Sequence, residues 1–247
     1  MRKVALVTGG AKGIGAAICE ELAANGFDVV INYLTSETEA EALGGELTFK
    51  YGVNVLLCKC DVSIEEDVNS MIDLVESRFG GVDVLVNNAA IDLSNVWNQK
   101  TTDDFKKTLD VNVIGAYNVS RRVYEYMENK KWGRIINISS TNGINTYYPI
   151  CLEYDASKAA LISLTHNLAI EFAPYITVNA IAPGFIGTAK ELEGYDEEFL
   201  KSEQEKILVG RYGDPKEVAK LVAFLASEDA AYINNTVIRI DGGQYGA

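Results

Sequence analysis

Tyr154 and Lys158 stand four residues apart in a stretch whose apolar spacing predicts a helix, so they share one face. A tyrosine left to itself has a pKa of about 10. A neighbouring ammonium favours the phenolate and lowers that value, which makes the phenol usable as a general acid in reduction or a base in oxidation. Ser140 follows an expected strand over 134–138, at the carboxyl end where parallel sheets bind ligands. A hydroxyl there can polarise a carbonyl and steady the negative charge that develops on its oxygen. Ser139 is adjacent and offers the same group. Far earlier in the chain, Thr8-Gly9-Gly10-Ala11-Lys12-Gly13-Ile14-Gly15 joins the first apolar run to a helical pattern. Glycine allows a tight turn and close backbone approach to a pyrophosphate, and the helix start beyond it offers N–H donors at a positive dipole end. The glycines at 9, 13 and 15 depart from the G-x-G-x-x-G spacing. No Gly-Lys-Ser/Thr follows them, which disfavours Walker-type phosphate binding.

These residues need a scaffold, and the hydrophobic pattern supplies one. Strands are expected at 4–7, 29–32, 53–58, 84–86, 134–138, 177–181 and 237–240. Helices are expected at 14–24, 37–50, 102–127 and 154–172. Another opens at a capping box of Ser63 and Glu66 and runs to about 79, and a last one starts at Asp214-Pro215 and ends near 226. Apolar strands alternating with helices predict a single α/β domain spanning 1–247. It is a Rossmann-like doubly wound sheet of about seven parallel strands flanked by helices. The irregular, Glu- and Lys-rich stretch 184–213 is a candidate substrate lid.

The chain of 247 residues carries a formal net charge of −13, which argues against a nucleic-acid partner. No apolar stretch reaches the roughly 18 residues of a membrane span, so no membrane partner is expected. The apolar run near the start is too short for a signal peptide and reads as a buried strand, which points to the cytoplasm. Cys19, Cys58, Cys60 and Cys151 lack zinc-site spacing and read as buried free thiols. His166 is the lone histidine, so no metal site is expected.

Taken in order, the motifs resemble those of the short-chain dehydrogenase/reductase family, and the resemblance covers essentially the whole chain. The T-G-x-x-x-G-x-G pattern over Gly9, Gly13, Ile14 and Gly15 resembles its cofactor fingerprint. Asp61-Val62 resembles its adenine contact, and Asn87-Asn88-Ala89-Ala90 resembles its N-N-A-G motif with alanine for glycine. Pro183, Gly184, Ile186 and Thr188 resemble its segment beside the nicotinamide. Asn112, Ser140, Tyr154 and Lys158 resemble its catalytic four. The resemblance implies that Lys158 holds the nicotinamide ribose and that Asn112 supports a water relay reloading Lys158 and Tyr154.

Strand 29–32 ends in Ile31-Asn32-Tyr33, with no acid at its tip to bind an NAD ribose. Lys12 in the glycine turn, with Thr35 and Ser36, can meet a 2′-phosphate. These residues favour NADP(H) over NAD(H), with Glu37 nearby as the opposing feature. Within the family the similarity is greatest to bacterial 3-oxoacyl-[acyl-carrier-protein] reductases, which implies NADPH-dependent reduction of a 3-oxoacyl thioester. Lys130 and Lys131 are the one basic cluster that could dock an acyl carrier protein. Hydroxysteroid, sugar and small-alcohol dehydrogenases remain alternatives, as does a nucleotide sensor without catalysis. Trp97, Tyr147 and Tyr148 suggest an apolar substrate pocket. The helices at 102–127 and 154–172 resemble the pair that forms family homotetramers.

Overall fold

Val4–Val7 form β1 and are buried on both sides, which is why this strand is a continuous apolar run and not an alternating one. β2 (Asp28–Tyr33), β4 (Val84–Asn87), β5 (Gly133–Ile138) and β6 (Ile176–Pro183) are buried in the same way. β3 (Val55–Lys59) and β7 (Val237–Ile240) are the partly exposed edges. The structure is a computed structural model that describes residues 2–245, apart from the Lys190 side chain. Among these residues the strands make one seven-stranded sheet in the order β3-β2-β1-β4-β5-β6-β7, parallel at every pairing.

Helices cover both faces. α1 (Gly13–Ala24), α2 (Glu37–Tyr51) and α9 (Pro215–Ala226) pack Ile18, Leu22, Leu47 and Val222 on one side. α3 (Glu65–Phe79), α5 (Gly115–Lys130) and α6 (Leu152–Glu171) pack Ile72, Val123, Met127 and Leu168 on the other. The strand order reverses between β1 and β4, which opens a crevice at the carboxyl ends of the central strands. Among the described residues no helix is long and apolar enough to cross a membrane.

Three local expectations change. The Ser63–Glu66 capping box does not form. Ser63 instead donates its hydroxyl to Asp61 Oδ1 at 2.6 Å, and α3 begins after Ile64 with Glu65, Glu66 and Asp67 at its positive end. The helix expected over 102–127 is two helices. α4 (Thr102–Leu109) and α5 are joined by a π turn over Asp110–Ile114. That wider turn carries Asn112 into the interior. Its Nδ2 donates to Ile91 O at 2.9 Å and Ser157 Oγ at 2.9 Å, and its Oδ1 accepts the Ile91 N–H at 2.8 Å. Finally, the irregular stretch 184–213 contains α7 (Ala189–Gly194) and α8 (Glu197–Glu205), with its ends tied by a bridge between Ile186 and Gly213.

Asn112→Ala leaves the Ile91 backbone and Ser157 without their partner. The expected loss is about 1–3 kcal/mol of unfolding free energy in urea, and an unchanged transition would contradict this account of the π turn.

Candidate active site

The glycine turn is shaped by its neighbours. Gly9 (φ +60°) and Gly13 (φ +54°) occupy the left-handed region, and a Cβ on Gly15 would lie 2.3 Å from Gly9 O. No side chain caps α1 and no acid stands in its first turn, so its first N–H groups stay available beside a cleft lined by Lys12, Ile14 and Gly15. The turn is bolted to the next strand end. Thr8 Oγ1 accepts the N–H groups of Asn88 (2.9 Å) and Ala89 (3.0 Å), while Asn88 Nδ2 donates to Thr8 O (3.0 Å) and Gly9 O (3.1 Å).

Asn32, expected to touch the cofactor, braces this turn with its whole amide. Its Oδ1 accepts the Gly9 N–H at 3.2 Å, and its Nδ2 donates to Cys58 O (3.3 Å) and Cys60 O (3.0 Å). Tyr33 is buried and donates its hydroxyl to Glu37 at 3.3 Å. Lys12 reaches Glu39 at 2.7 Å, so the acid that engages it is Glu39 and not Glu37. Asp61 lies past β3 with its Oδ1 taken by Ser63, and Val62 is held by Asn118, which donates to its carbonyl at 3.1 Å.

The cleft, about 330 Å³, brings Ser140, Tyr154 and Lys158 together with Pro183, Gly184, Ile186 and Thr188. Lys158 is buried and donates to Ile138 O at 2.8 Å, and burial pushes its ammonium down to about 8. Its Nζ lies 5.3 Å from the centroid of the Tyr154 ring. The phenol itself goes the other way from the expectation. Burial holds Tyr154 well above the ordinary tyrosine range, the charges of Asp92 and Glu191 add to that, and hydrogen bonding from Ser140 opposes it. Burial is the largest cause, and Lys158, whose ammonium donates to Ile138 O, does not offset it. Tyr154 is therefore a neutral acid.

Ser139 and Ser140 are told apart by direction. Ser139 donates to Lys158 O at 2.9 Å, whereas Ser140 exchanges hydrogen bonds with Asn142 in the cleft and reaches Tyr154. Asn112 does not line the cleft, since its amide is occupied by Ile91 and Ser157. Of the three aromatic residues expected in the pocket, Tyr148 lines it, and Trp97 and Tyr147 are exposed. Asp92, Glu191, Tyr195 and Gln244 also line it. The sequence does not single out these four, because Asp92 follows β4, Glu191 and Tyr195 lie in and just after α7, and Gln244 follows β7, so no local spacing joins them.

Lys130 and Lys131 stand exposed, Lys130 at the end of α5 and Lys131 just after it. They precede β5 at its amino end, about 20 Å along six residues from the cleft. Lys130 is ion-paired with the buried Asp83, and Lys131 donates to the Tyr175 hydroxyl at 3.1 Å.

The enoyl-(acyl carrier protein) reductase family matches residues 9–244. A 3-oxoacyl-[acyl-carrier-protein] reductase of Aquifex aeolicus (strain VF5) is 40% identical over 244 residues, 98% of this chain and 97% of that protein. The chain is a short-chain dehydrogenase/reductase. As a member of this family it is an oxidoreductase that reduces carbonyl groups and binds a nicotinamide cofactor. An acetoacetyl-CoA reductase of Rhizobium meliloti (strain 1021) is 39% identical to this short-chain dehydrogenase/reductase, over 99% of both chains. Acetoin dehydrogenase YohF from Salmonella typhimurium has the same fold, with a TM-score of 0.88 and 34% identity over 99% of this chain and 96% of its own.

Lys158 yields a signed test. The unfolded chain keeps its proton to about 10.5 and the folded protein releases it near 8, so between those values the unfolded state binds more protons. The contribution of this group therefore makes stability rise with pH across that window. Lys158→Met is expected to lose that rise in urea unfolding at the two ends of the window, and identical pH slopes in both proteins would contradict it. A second expectation concerns the turn. Gly15→Val is expected to abolish nicotinamide cofactor binding in a fluorescence titration, and retained binding would mean that the cradle lies elsewhere.

Proposed function

We propose that the protein uses NADPH to reduce the ketone of a 3-oxoacyl thioester to a secondary alcohol. The observation that carries this reading is the Tyr154 phenol beside Ser140 in one cleft, at the carboxyl edge of the sheet. Ser140 and Tyr154 donate hydrogen bonds to the substrate oxygen. Tyr154 gives up its proton to that oxygen as the carbonyl carbon accepts a hydride. Lys158, fixed on Ile138 O, stands behind the phenol and holds the ribose. Asn112 acts as a positioning residue, ordering Ile91 against Ser157.

The residues present fit the cofactor. The cradle that a Cβ on Gly15 would fill, with Gly9, Gly13 and Ile14, suits a pyrophosphate. Asp61 and Val62 stand for the adenine; Asn88 and Ala89 line its ribose side; Pro183, Gly184, Ile186 and Thr188 flank the nicotinamide. When bound, the cofactor supplies the hydride. No acid ends β2, and the Lys12–Glu39 pair is exposed, so a 2′-phosphate can take Lys12 at little cost. That supports NADPH over NADH.

The thioester reading is supported by the relatives named for 3-oxoacyl-[acyl-carrier-protein] and acetoacetyl-CoA reduction. It places the acyl group on a pantetheine arm, for which coenzyme A is the assay carrier. Residues 184–213 are the lid, with Phe185, Tyr195 and Phe199 packed together over the cleft. The exposed Ile114, Tyr117 and Ile170 give the helical faces through which we propose a homotetramer.

Acetoacetyl-CoA should be reduced with NADPH and much more slowly with NADH, as followed by cofactor absorbance. Equal rates would remove the Lys12 argument, and no turnover with either would remove the thioester reading. Tyr154→Phe should lower turnover by about 10²–10⁴-fold while NADPH still binds. Full activity in that variant would overturn the assignment of the acid.

A further inference from the structure

The Ser140 hydroxyl is held by one residue, and that residue is held by another. Ser140 opens a tight turn over Thr141–Gly143. Its Oγ accepts the Asn142 N–H at 3.1 Å and donates to Asn142 Oδ1 at 3.2 Å. Asn142 Nδ2 donates to Asp155 Oδ1 at 2.7 Å, and Asp155 stands in α6 directly after Tyr154. The other carboxylate oxygen, Oδ2, accepts the Tyr148 N–H at 3.1 Å. Gly143 permits this approach, because a Cβ there would lie 2.6 Å from the Lys158 carbonyl carbon and lift the turn off α6. Burial raises the Asp155 carboxyl, and its bonds from Asn142 and Tyr148 oppose that rise.

The directions of these bonds have a consequence. An amide has a donor end and an acceptor end, and a flip exchanges them. A carboxylate only accepts, so Asp155 draws the donor end of Asn142 toward itself and leaves the oxygen toward Ser140. The serine then has a defined state. One lone pair takes the Asn142 N–H, and its own proton rests on Asn142 Oδ1. That 3.2 Å bond is long for O–H···O, so the proton can turn to an arriving carbonyl oxygen at little cost. The shorter, charge-assisted bond to Asp155 stays in place and keeps the amide from turning with it.

We infer that Asn142 and Asp155 are positioning residues for the reduction, Asp155 fixing the Asn142 amide and the amide aiming the Ser140 hydroxyl. The inference rests on the reading of Ser140 as a donor to the substrate oxygen and adds what aims it.

Acetoacetyl-CoA, ethyl acetoacetate and diacetyl are offered with saturating NADPH, and the ketone that the wild type reduces fastest serves for every variant. Ser140→Ala should lower turnover by about 10²–10³-fold. Asn142→Asp sets two carboxylates at bonding distance, and at about pH 8 it should lower kcat by about 10- to 100-fold. Toward about pH 5.5 the pair takes up one proton and can again donate to Asp155 while facing Ser140 with an oxygen, so kcat relative to wild type should climb. Asp92, Glu153, Tyr154 and Lys158 are common to both proteins and cancel in that ratio. The exchange Asn142→Asp with Asp155→Asn restores every bond with the roles reversed and should run severalfold faster than Asn142→Asp alone. Single-turnover reduction with enzyme in excess reads the slow Ser140→Ala protein, in which adding Asn142→Asp should cost less than about twofold. An NADPH titration reports that each variant is folded. If Asn142→Asp fails it, Asn142→Ala, which adds no charge, takes its place in the comparison with Ser140→Ala.

Unchanged kcat in Asn142→Asp beside a slow Ser140→Ala would overturn the inference alone. So would an exchange variant no faster than Asn142→Asp, a ratio flat with pH, or a full further loss on the Ser140→Ala background, which would make the pair a brace independent of the serine. Acetoacetyl-CoA left unreduced while another ketone turns over overturns the thioester reading alone. No turnover of any ketone by the wild type overturns the reduction reading, and the inference with it.

Discussion

The crevice between β1 and β4 depends on one reciprocal set of hydrogen bonds, in which Thr8 and Asn88 each hold the other's backbone. Parallel strands with right-handed crossovers must leave their carboxyl ends on one edge, and reversing the strand order there leaves a gap with no connection across it. Something has to set the width of that gap. The Thr8 hydroxyl accepts two N–H groups from the end of β4, and the Asn88 amide returns two bonds to the turn after β1. Asn32 ties the same turn to the end of β3. The glycine turn is thus rigid without any ligand, and a pyrophosphate would meet preorganised N–H groups.

Electrostatics in the cleft follows from depth. Lys158 is buried and Tyr154 lies at the wall of the cleft, and desolvation pushes each toward its neutral form, the ammonium down and the phenol up. A phenol that keeps its proton suits reduction, where the developing alkoxide is the stronger base and draws the proton at the moment it is needed. The same burial makes Lys158 costly to the fold, and its single bond to Ile138 O offsets part of that cost. Stability is lower here so that a cation can stand behind the acid.

Much of this was legible in the residues. The strands could be read because burial on both faces makes them continuous apolar runs, and the glycine turn, Ser140, Tyr154 and Lys158 could be read because each sits at a strand end or a helix spacing that a one-dimensional pattern records. What was not legible depends on partners distant in sequence. The bracing role of the Asn32 amide shows only once the fold brings the carbonyls of Cys58 and Cys60 to it. The π turn at Asn112 adds one residue to a helical period that otherwise continues unbroken. The direction of the Tyr154 shift is not legible in the sequence, because the i+4 ammonium is visible there whereas the burial of the phenol, the larger effect, and the charges of Asp92 and Glu191 depend on the fold. Lys130 and Lys131 read as one basic cluster, and only the fold shows that they stand at the amino end of β5, beside Asp83 and Tyr175.

The account reduces to one claim: a carbonyl held by Ser140 and Tyr154 takes a hydride from the nicotinamide and a proton from the phenol. Deuterium transfer tests it most directly. Acetoacetyl-CoA would be reduced in ordinary water with NADPH deuterated at the transferable position of C4, and the product analysed by mass spectrometry. The account predicts one deuterium, on the carbinol carbon. An unlabelled alcohol obtained with the same cofactor, or label found on the neighbouring carbon, would contradict it.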